Sequence, residues 1–226
     1  MTARIQALVF DLGFTHRWQA EILVARPLVL PARHFVYPRQ AEEVERGALE
    51  ILVRPVAEAT DESIPRPVLN AQSPQSTEEF LATCALGFLD PAVPTGIWST
   101  PRPEELCAVC GGYAYLIDTA APERFTMIPY RPVIEVRPLP EQELLLFAGH
   151  RSIFAWGRDG MAWEAEKLSS EGIVIASIEG CILNGFGWDL ISDRETSFAL
   201  DLRTGRRISQ PESNFASGSK ICANPP

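Results

Sequence analysis

The chain contains Ser197-Phe-Ala-Leu-Asp-Leu-Arg-Thr-Gly205, a short apolar stretch that runs into a tight polar turn. The same pattern occurs earlier at Ser152-Ile-Phe-Ala-Trp-Gly-Arg-Asp-Gly160 and at Tyr113-Ala-Tyr-Leu-Ile-Asp-Thr119. Phe198, Leu200 and Leu202 alternate with smaller or charged residues, so that they share one face of a strand. The three stretches therefore predict strands that end in turns, and their recurrence predicts a repeat.

The spacing of these stretches indicates how large the repeating unit is. Tyr115, Phe154 and Phe198 occupy matching positions and are offset by 39 and 44 residues. A period of roughly 40 residues is typical of stacked four-stranded units. We predict strands at 106–109, 113–118, 125–128 and 133–137 in a first unit, at 144–148, 153–157, 161–166 and 173–178 in a second, and at 182–184, 198–203 and 206–209 in an incomplete third. The predicted fold class is all-β and mainly antiparallel.

The turns of this repeat resemble those of quinoprotein-type β-propeller blades, in which Leu-Asp-x-x-Thr-Gly leads into a strand that carries Trp. Asp201-Leu-Arg-Thr-Gly205 matches that turn, Arg158-Asp-Gly160 with Trp163 matches it in part, and Asp118 marks the first unit. The resemblance covers residues 106–209 and implies a propeller-like repeat of four-stranded meanders. A propeller normally takes at least four blades, whereas about two and a half units are visible here, so a two-sheet sandwich is the alternative. An architecture with a parallel sheet is a third.

The rest of the chain completes the predicted domain organisation. Alternating residues before Pro55 predict β-hairpins, one of which would join residues 5–10 to 18–24. Gln40–Gly47 has good helix formers and a closing glycine, which predicts a helix of at most two turns. Four prolines in residues 88–103 predict a packed loop without regular structure. We expect one compact domain made of N-terminal hairpins (1–55), a loop or linker (56–77), the β-repeat region packed on the N-terminal strands (78–209), and a flexible tail (210–226).

The composition is that of an ordinary globular protein, and its net charge limits the classes of binding partner that we expect. The 226 residues are 46% apolar and 22% charged, with a formal net charge of −9. Such a charge repels nucleic-acid phosphates and anionic lipid, so neither nucleic acid nor a membrane is expected as a partner. An unknown protein, or a small neutral or cationic ligand, is the expectation that remains. Because the N-terminus lacks the apolar stretch of a signal peptide, we expect a cytoplasmic protein.

The cysteines do not indicate a metal or redox site. Cys107-Ala-Val-Cys110 has the spacing of many such sites, but Cys84, Cys181 and Cys222 provide no second pair for zinc. An alternating strand follows Cys110, whereas a redox motif needs a helix. We therefore expect free, buried thiols.

No residue pattern predicts catalysis, a metal site or a cofactor, and the candidate site residues are therefore binding residues. Loops at the end of an antiparallel repeat commonly bind partners. Asp118, Asp159 and Asp201 lie in the repeat turns, and Asp90 begins the proline-rich loop. Trp98 lies in the same loop, whose rigid backbone is expected to present its indole outward. The predicted function is thus an interaction or ligand-binding module.

One enzyme alternative rests on Ala7-Leu-Val-Phe-Asp-Leu-Gly13, which resembles the first motif of haloacid-dehalogenase-type phosphatases. The resemblance implies Asp11 as the nucleophile, Lys167 as a second active-site residue, and Asp189 with Asp193 as Mg²⁺ ligands. Gly13 departs from the motif, because the phosphatases carry an Asp acid/base at that position. The chain also lacks the helical periodicity needed for crossover helices between parallel strands.

Overall fold

Strands account for nearly all of the regular structure in the part of the chain that the structure describes. The computed structural model describes residues 8–39, 47–56 and 79–208. The first eight strands are β1 (Val9–Asp11), β2 (Trp18–Leu23), β3 (His34–Tyr37), β4 (Ala48–Pro55), β5 (Phe80–Ala85), β6 (Gly96–Ser99), β7 (Glu105–Cys110) and β8 (Tyr113–Asp118). The other eight are β9 (Phe125–Met127), β10 (Glu135–Leu139), β11 (Leu144–Ala148), β12 (Ile153–Gly157), β13 (Gly160–Ala165), β14 (Ile173–Glu179), β15 (Ile182–Asp189) and β16 (Arg194–Asp201). A single 3₁₀ turn, Pro140–Gln142, is the only helical element of the described residues.

The described strands form four sheets, which follow one another along the chain except that the first strand, β1, belongs to the second sheet. The first sheet has the order β2-β4-β5-β3, the second β1-β6-β7-β8-β9, the third β10-β11-β12-β13 and the fourth β14-β15-β16. Two of the described strand pairs, β1 with β6 and β3 with β5, are parallel, and the others are antiparallel. The predicted class, all-β and mainly antiparallel, is confirmed. The sheets described do not close into a barrel.

The repeat of about 40 residues is real, but its boundaries differ from the predicted ones. The meanders of the last three sheets begin at Gly96, Glu135 and Ile173, so their first strands start 39 and 38 residues apart. The predicted units grouped β7 with β10 and β11 with β14, which is one strand too late. The connections that leave a sheet, at 128–134 and 166–172, are about as long as the β8–β9 connection at 119–124 within a sheet, and the sequence therefore does not reveal which connection leaves a sheet.

The predicted hairpin near the N-terminus is wrong. β1 runs parallel to β6, with Val9 opposite Gly96 and Asp11 opposite Trp98, whereas β2 lies in the first sheet beside β4. A Cβ on Gly96 would collide with the backbone of Val9, so glycine at this position lets β1 approach. β6 also corrects the prediction of an irregular loop at residues 88–103, because four of these residues form a strand.

Three apolar clusters lie between successive sheets and hold them together. In the first, Ile51 and Phe80 of the first sheet meet Tyr115 of the second. The second cluster joins the opposite face of the second sheet to the third sheet, and the last cluster joins the third sheet to the fourth. The second and third sheets are therefore buried on both faces, which explains why their central strands read as continuous apolar runs.

Some predictions fall on residues that the structure does not describe. These are the helix expected at Gln40–Gly47 apart from Gly47, the loop at 57–77, and the tail at 210–226. The predicted last strand at 206–209 is reduced, within the described residues, to one bridge between Leu200 and Arg207. The part of the chain that the structure describes contains no helix with the length and hydrophobicity needed to span a bilayer.

Candidate functional site

A cleft of about 890 Å³ opens between the second and third sheets, and we name it the Glu105 cleft. It lies where β7 begins, β8 ends and a turn joins β12 to β13. Its lining consists of Arg39, Arg102, Glu104, Glu105, Leu116, Asp118, Ala120, Glu123, Arg124, Phe125, Thr126, Trp156, Asp159 and Gly160. Five carboxylates and three guanidinium groups thus surround one cavity.

A buried carboxylate lies at the base of the cleft. Glu105 is only 3% exposed, and its Oε2 accepts a hydrogen bond of 2.6 Å from Nε1 of Trp156 in the neighbouring sheet. Its Oε1 lies 3.5 Å from Nη1 of Arg102. Burial raises the pKa of the Glu105 carboxyl, while the Trp156 hydrogen bond and the Arg102 charge oppose that rise. A charged group is rarely this deeply buried without a structural or functional reason.

The carboxylates on the rim of the cleft differ in their ion-pair and hydrogen-bond partners. Asp118 forms an ion pair of 2.7 Å with Arg124, and its Oδ1 accepts the backbone N–H groups of the turn that follows β8. Glu104 pairs with Arg17 at 3.0 Å. Asp159 and Glu123, which are both exposed, form no ion pair within the described residues. The rim therefore offers two unpaired negative charges above a buried third.

The structure brings together two of the five predicted binding residues. Asp118 and Asp159 both line the Glu105 cleft. Asp201 lies at the end of β16, where it accepts hydrogen bonds from the backbone and side chain of Arg203. Asp90 is exposed in its loop and accepts the N–H of Ala92 at 2.9 Å. Neither Asp201 nor Asp90 lines this cleft.

The expectation that Trp98 points outward is wrong. Its side chain is 2% exposed, because β6 is an internal strand and Trp98 packs in the cluster between the second and third sheets. Trp18, Trp156 and Trp163 are also buried, and Trp188, at 38% exposed, is the tryptophan that reaches the surface.

The sequence reasoning missed the residues that make the base of the cleft. Glu105 begins an otherwise apolar strand, and Arg102 precedes it by three residues. A carboxylate directly before a fully apolar run was the one available signal. Trp156 could not be assigned to the same site, because 51 residues separate it from Glu105.

The phosphatase alternative is not supported. Asp11 belongs to β1 in the second sheet, whereas Lys167 and Asp189 line a separate cleft between the third and fourth sheets. The crossover helices that would carry a parallel phosphatase sheet do not occur in residues 8–39, 47–56 or 79–208. Asp193 lies in the turn between β15 and β16 and does not line that cleft.

The cysteines follow the expectation with one exception. Cys84, Cys107 and Cys110 are free and buried, and burial raises the pKa of each thiol. Cys181 is disulfide-bonded, so the expectation of a free thiol is wrong there. Cys222 lies outside the described residues. Within the described part of the chain, no group of three or more His, Cys, Asp or Glu side chains could hold a metal ion.

Comparison with known proteins gives little further information. No family model and no curated protein matches the chain. Among solved structures, the N-terminal domain of Nup159 is similar, with a TM-score of 0.35 and 11% sequence identity. The match covers 94% of this chain and 55% of that one. At this level of similarity, the match supports no inference about function.

Proposed function

We propose that this protein is a non-catalytic interaction module that receives a lysine or arginine side chain of a partner protein in the Glu105 cleft. The observation that carries the proposal is the buried Glu105 carboxylate at the base of an open cavity, hydrogen-bonded to Trp156. Asp118 and Asp159 belong to this proposal as rim residues. Localisation in the cytoplasm is part of the same proposal.

The chemistry of the lining suits a long cationic side chain. Trp156, Phe125 and Leu116 give the cavity apolar walls, against which the methylene groups of lysine or arginine can pack. A cation near an indole face gains further attraction. The side chain of Arg102 is 39% exposed, so it can move into solvent when an incoming cation takes its place beside Glu105.

The rim charges provide most of the initial attraction. Asp159 and Glu123 are exposed and unpaired within the described residues, so an incoming cation displaces no existing partner from them. Exposed ion pairs contribute about 0.2–1 kcal/mol each and weaken as salt is added. Two such pairs account for up to about 2 kcal/mol, which is about thirtyfold in affinity.

A binding titration with a decalysine peptide tests the proposal, with decaglutamate as the matched peptide control. The protein is titrated by calorimetry as wild type, as the rim variant Asp159→Asn/Glu123→Gln, and as the control variant Glu141→Gln/Glu179→Gln. Both variants lose two negative charges, but only the first loses them at the cleft. We expect decalysine to bind, and the rim variant to bind it more weakly than the control, by up to about thirtyfold.

Two results would overturn the proposal. In the first, decalysine binds no more tightly than decaglutamate. In the second, the two variants bind decalysine equally, which would mean that the net charge of the molecule, and not this cleft, attracts the peptide.

A further inference from the structure

A second cleft, of about 680 Å³, opens between the third and fourth sheets. It lies at the opposite end of the third sheet from the Glu105 cleft, because Arg151 precedes β12 whereas the β12–β13 turn follows it. Three cations line it, namely Arg151, Lys167 and Arg207, and we name it the cationic cleft.

The three cations form no ion pair with a carboxylate of the described residues, although the chain carries a net charge of −9. Among the described residues, arginines such as Arg17, Arg54 and Arg124 form ion pairs, whereas Arg151, Lys167 and Arg207 do not. The lining of the cleft has these three cations and two carboxylates, so its formal charge is positive whereas that of the whole molecule is negative, which gives a positive local potential. Such a potential favours an anionic occupant.

Backbone contacts hold two of the cations along the wall of the cleft. Nε of Arg151 donates to the carbonyl of Ser170 at 2.9 Å, and Nη2 of Arg207 donates to the carbonyl of Lys167 at 2.8 Å. A guanidinium has five N–H donors, so each of these arginines retains donors for a ligand. Orientation before binding lowers the entropic cost of recognising an oxyanion.

Lys167 adopts a backbone conformation that lysine rarely takes. Its φ is 57°, in the left-handed region, where a non-glycine residue costs about 1–2 kcal/mol. Strain of this kind tends to occur at functional sites. Glycine would fit this position without strain, yet the chain has a cation there.

The remaining lining is consistent with a small polar ligand. Trp188 is 38% exposed and provides an aromatic wall, and the hydroxyl groups of Ser169, Ser170 and Thr196 also line the cavity. Two carboxylates, those of Glu166 and Asp189, are present as well. Asp189 accepts hydrogen bonds within its own turn, from the Ile191 N–H at 2.9 Å and from the Ser192 hydroxyl at 3.0 Å. These donors partly compensate its negative charge.

We propose that the cationic cleft binds a small ligand with at least two anionic oxygen-rich groups, either phosphate or carboxylate, through Arg151, Lys167 and Arg207. Arginine donates pairs of hydrogen bonds to such groups, and lysine adds a point charge. This site does not depend on the Glu105 cleft or on the function proposed for it.

Calorimetric titration with pyrophosphate and, separately, with citrate tests this site. Four forms of the protein are compared: wild type, Lys167→Arg, Arg151→Gln/Lys167→Gly, and the control Arg194→Gln/Arg206→Gln. Arg194 and Arg206 are exposed, lie outside the cleft and form no ion pair within the described residues. Glycine at position 167 tolerates the positive φ, so the double variant should remain folded, which its thermal unfolding temperature verifies.

We expect wild type and Lys167→Arg to bind at least one of the two anions saturably, and the cleft double variant to bind it at least about tenfold more weakly. The control should stay within about twofold of wild type. Binding of pyrophosphate alone would identify phosphate as the recognised group, and binding of citrate alone would identify carboxylate. The proposal fails if wild type binds neither anion at about 10 mM, or if the control loses as much affinity as the cleft variant.

Discussion

Replacing Glu105 tests whether its buried carboxylate lowers the stability of the folded protein. In Glu105→Gln, an amide oxygen can still accept the Trp156 indole N–H, and the lost ion pair with the 39% exposed Arg102 is worth at most about 1 kcal/mol. In Glu105→Leu, the buried N–H has no acceptor, which costs about 1–3 kcal/mol. At neutral pH we therefore expect the free energy of unfolding of the Gln variant to lie within about 1 kcal/mol of wild type, and that of the Leu variant to be lower by about 1–3 kcal/mol.

The pH dependence of the Gln variant gives the sharper result. Burial raises the pKa of Glu105 above its ordinary value of 4.5, so the folded state favours the protonated carboxyl. The stability of wild type relative to Glu105→Gln should then fall as the pH rises from 4.5 through the raised pKa, and level off above it. Urea unfolding at a series of pH values measures both curves. If wild type gains stability relative to Gln over that range, the carboxylate is stabilised by Trp156 and Arg102 more than burial opposes it, and our reasoning is refuted.

Two further predictions concern single turns. Gly205 has a φ of +67°, and a Cβ there would lie 2.6 Å from Trp163, so Gly205→Ala should destabilise by about 2–4 kcal/mol in urea unfolding. Gly172 has a φ of +80°, but a Cβ there would meet no atom within 4 Å, so Gly172→Ala should lower the free energy of unfolding by only about 1 kcal/mol. If the two glycine substitutions lower it equally, the collision between the new Cβ and Trp163 is relieved in the variant, which contradicts the prediction. Hydrogen bonds from Arg203 lower the pKa of Asp201 below 3.8. The ionised Asp201 carboxylate therefore stabilises the folded state above pH 3.8, and this stabilisation is lost as the pH falls through the lowered pKa. Asp201→Asn should therefore lower the free energy of unfolding by up to about 1 kcal/mol at pH 7 and leave it unchanged in strong acid. A loss of stability that persists in acid would show that the ionised carboxylate is not its cause.

The sequence could reveal the strands because their signal is local. β8, β11 and β12 were predicted with their observed bounds, since alternating or continuous apolar residues followed by a polar turn determine them within a few residues. The assignment of strands to sheets could not be found in the same way. It depends on the connection between β9 and β10, in which Ile128 and Val133 are fully buried although the stretch resembles an ordinary turn.

The candidate site was only partly predictable for a related reason. Asp118 and Asp159 were identified from turns, which the sequence displays directly. Their neighbour Trp156 belongs to another sheet from Glu105, and their contact exists only because the second and third sheets stack face to face. Trp98 was misjudged because a proline-rich context says nothing about whether a strand lies in the middle of a stack.

The positions of the two clefts indicate that they can be tested independently. Both involve the third sheet, with Trp156 near one end of β12 and Arg151 beyond the other. β12 has five residues, which span about 17 Å at roughly 3.3 Å per residue. The Debye length at physiological ionic strength is about 8 Å, so charges exposed in one cleft are largely screened from the other. Removing Asp159 and Glu123 should therefore leave anion binding in the cationic cleft unchanged, and removing Lys167 should leave decalysine binding unchanged. A variant that altered both would show that net charge, and not the local arrangement of side chains, governs binding.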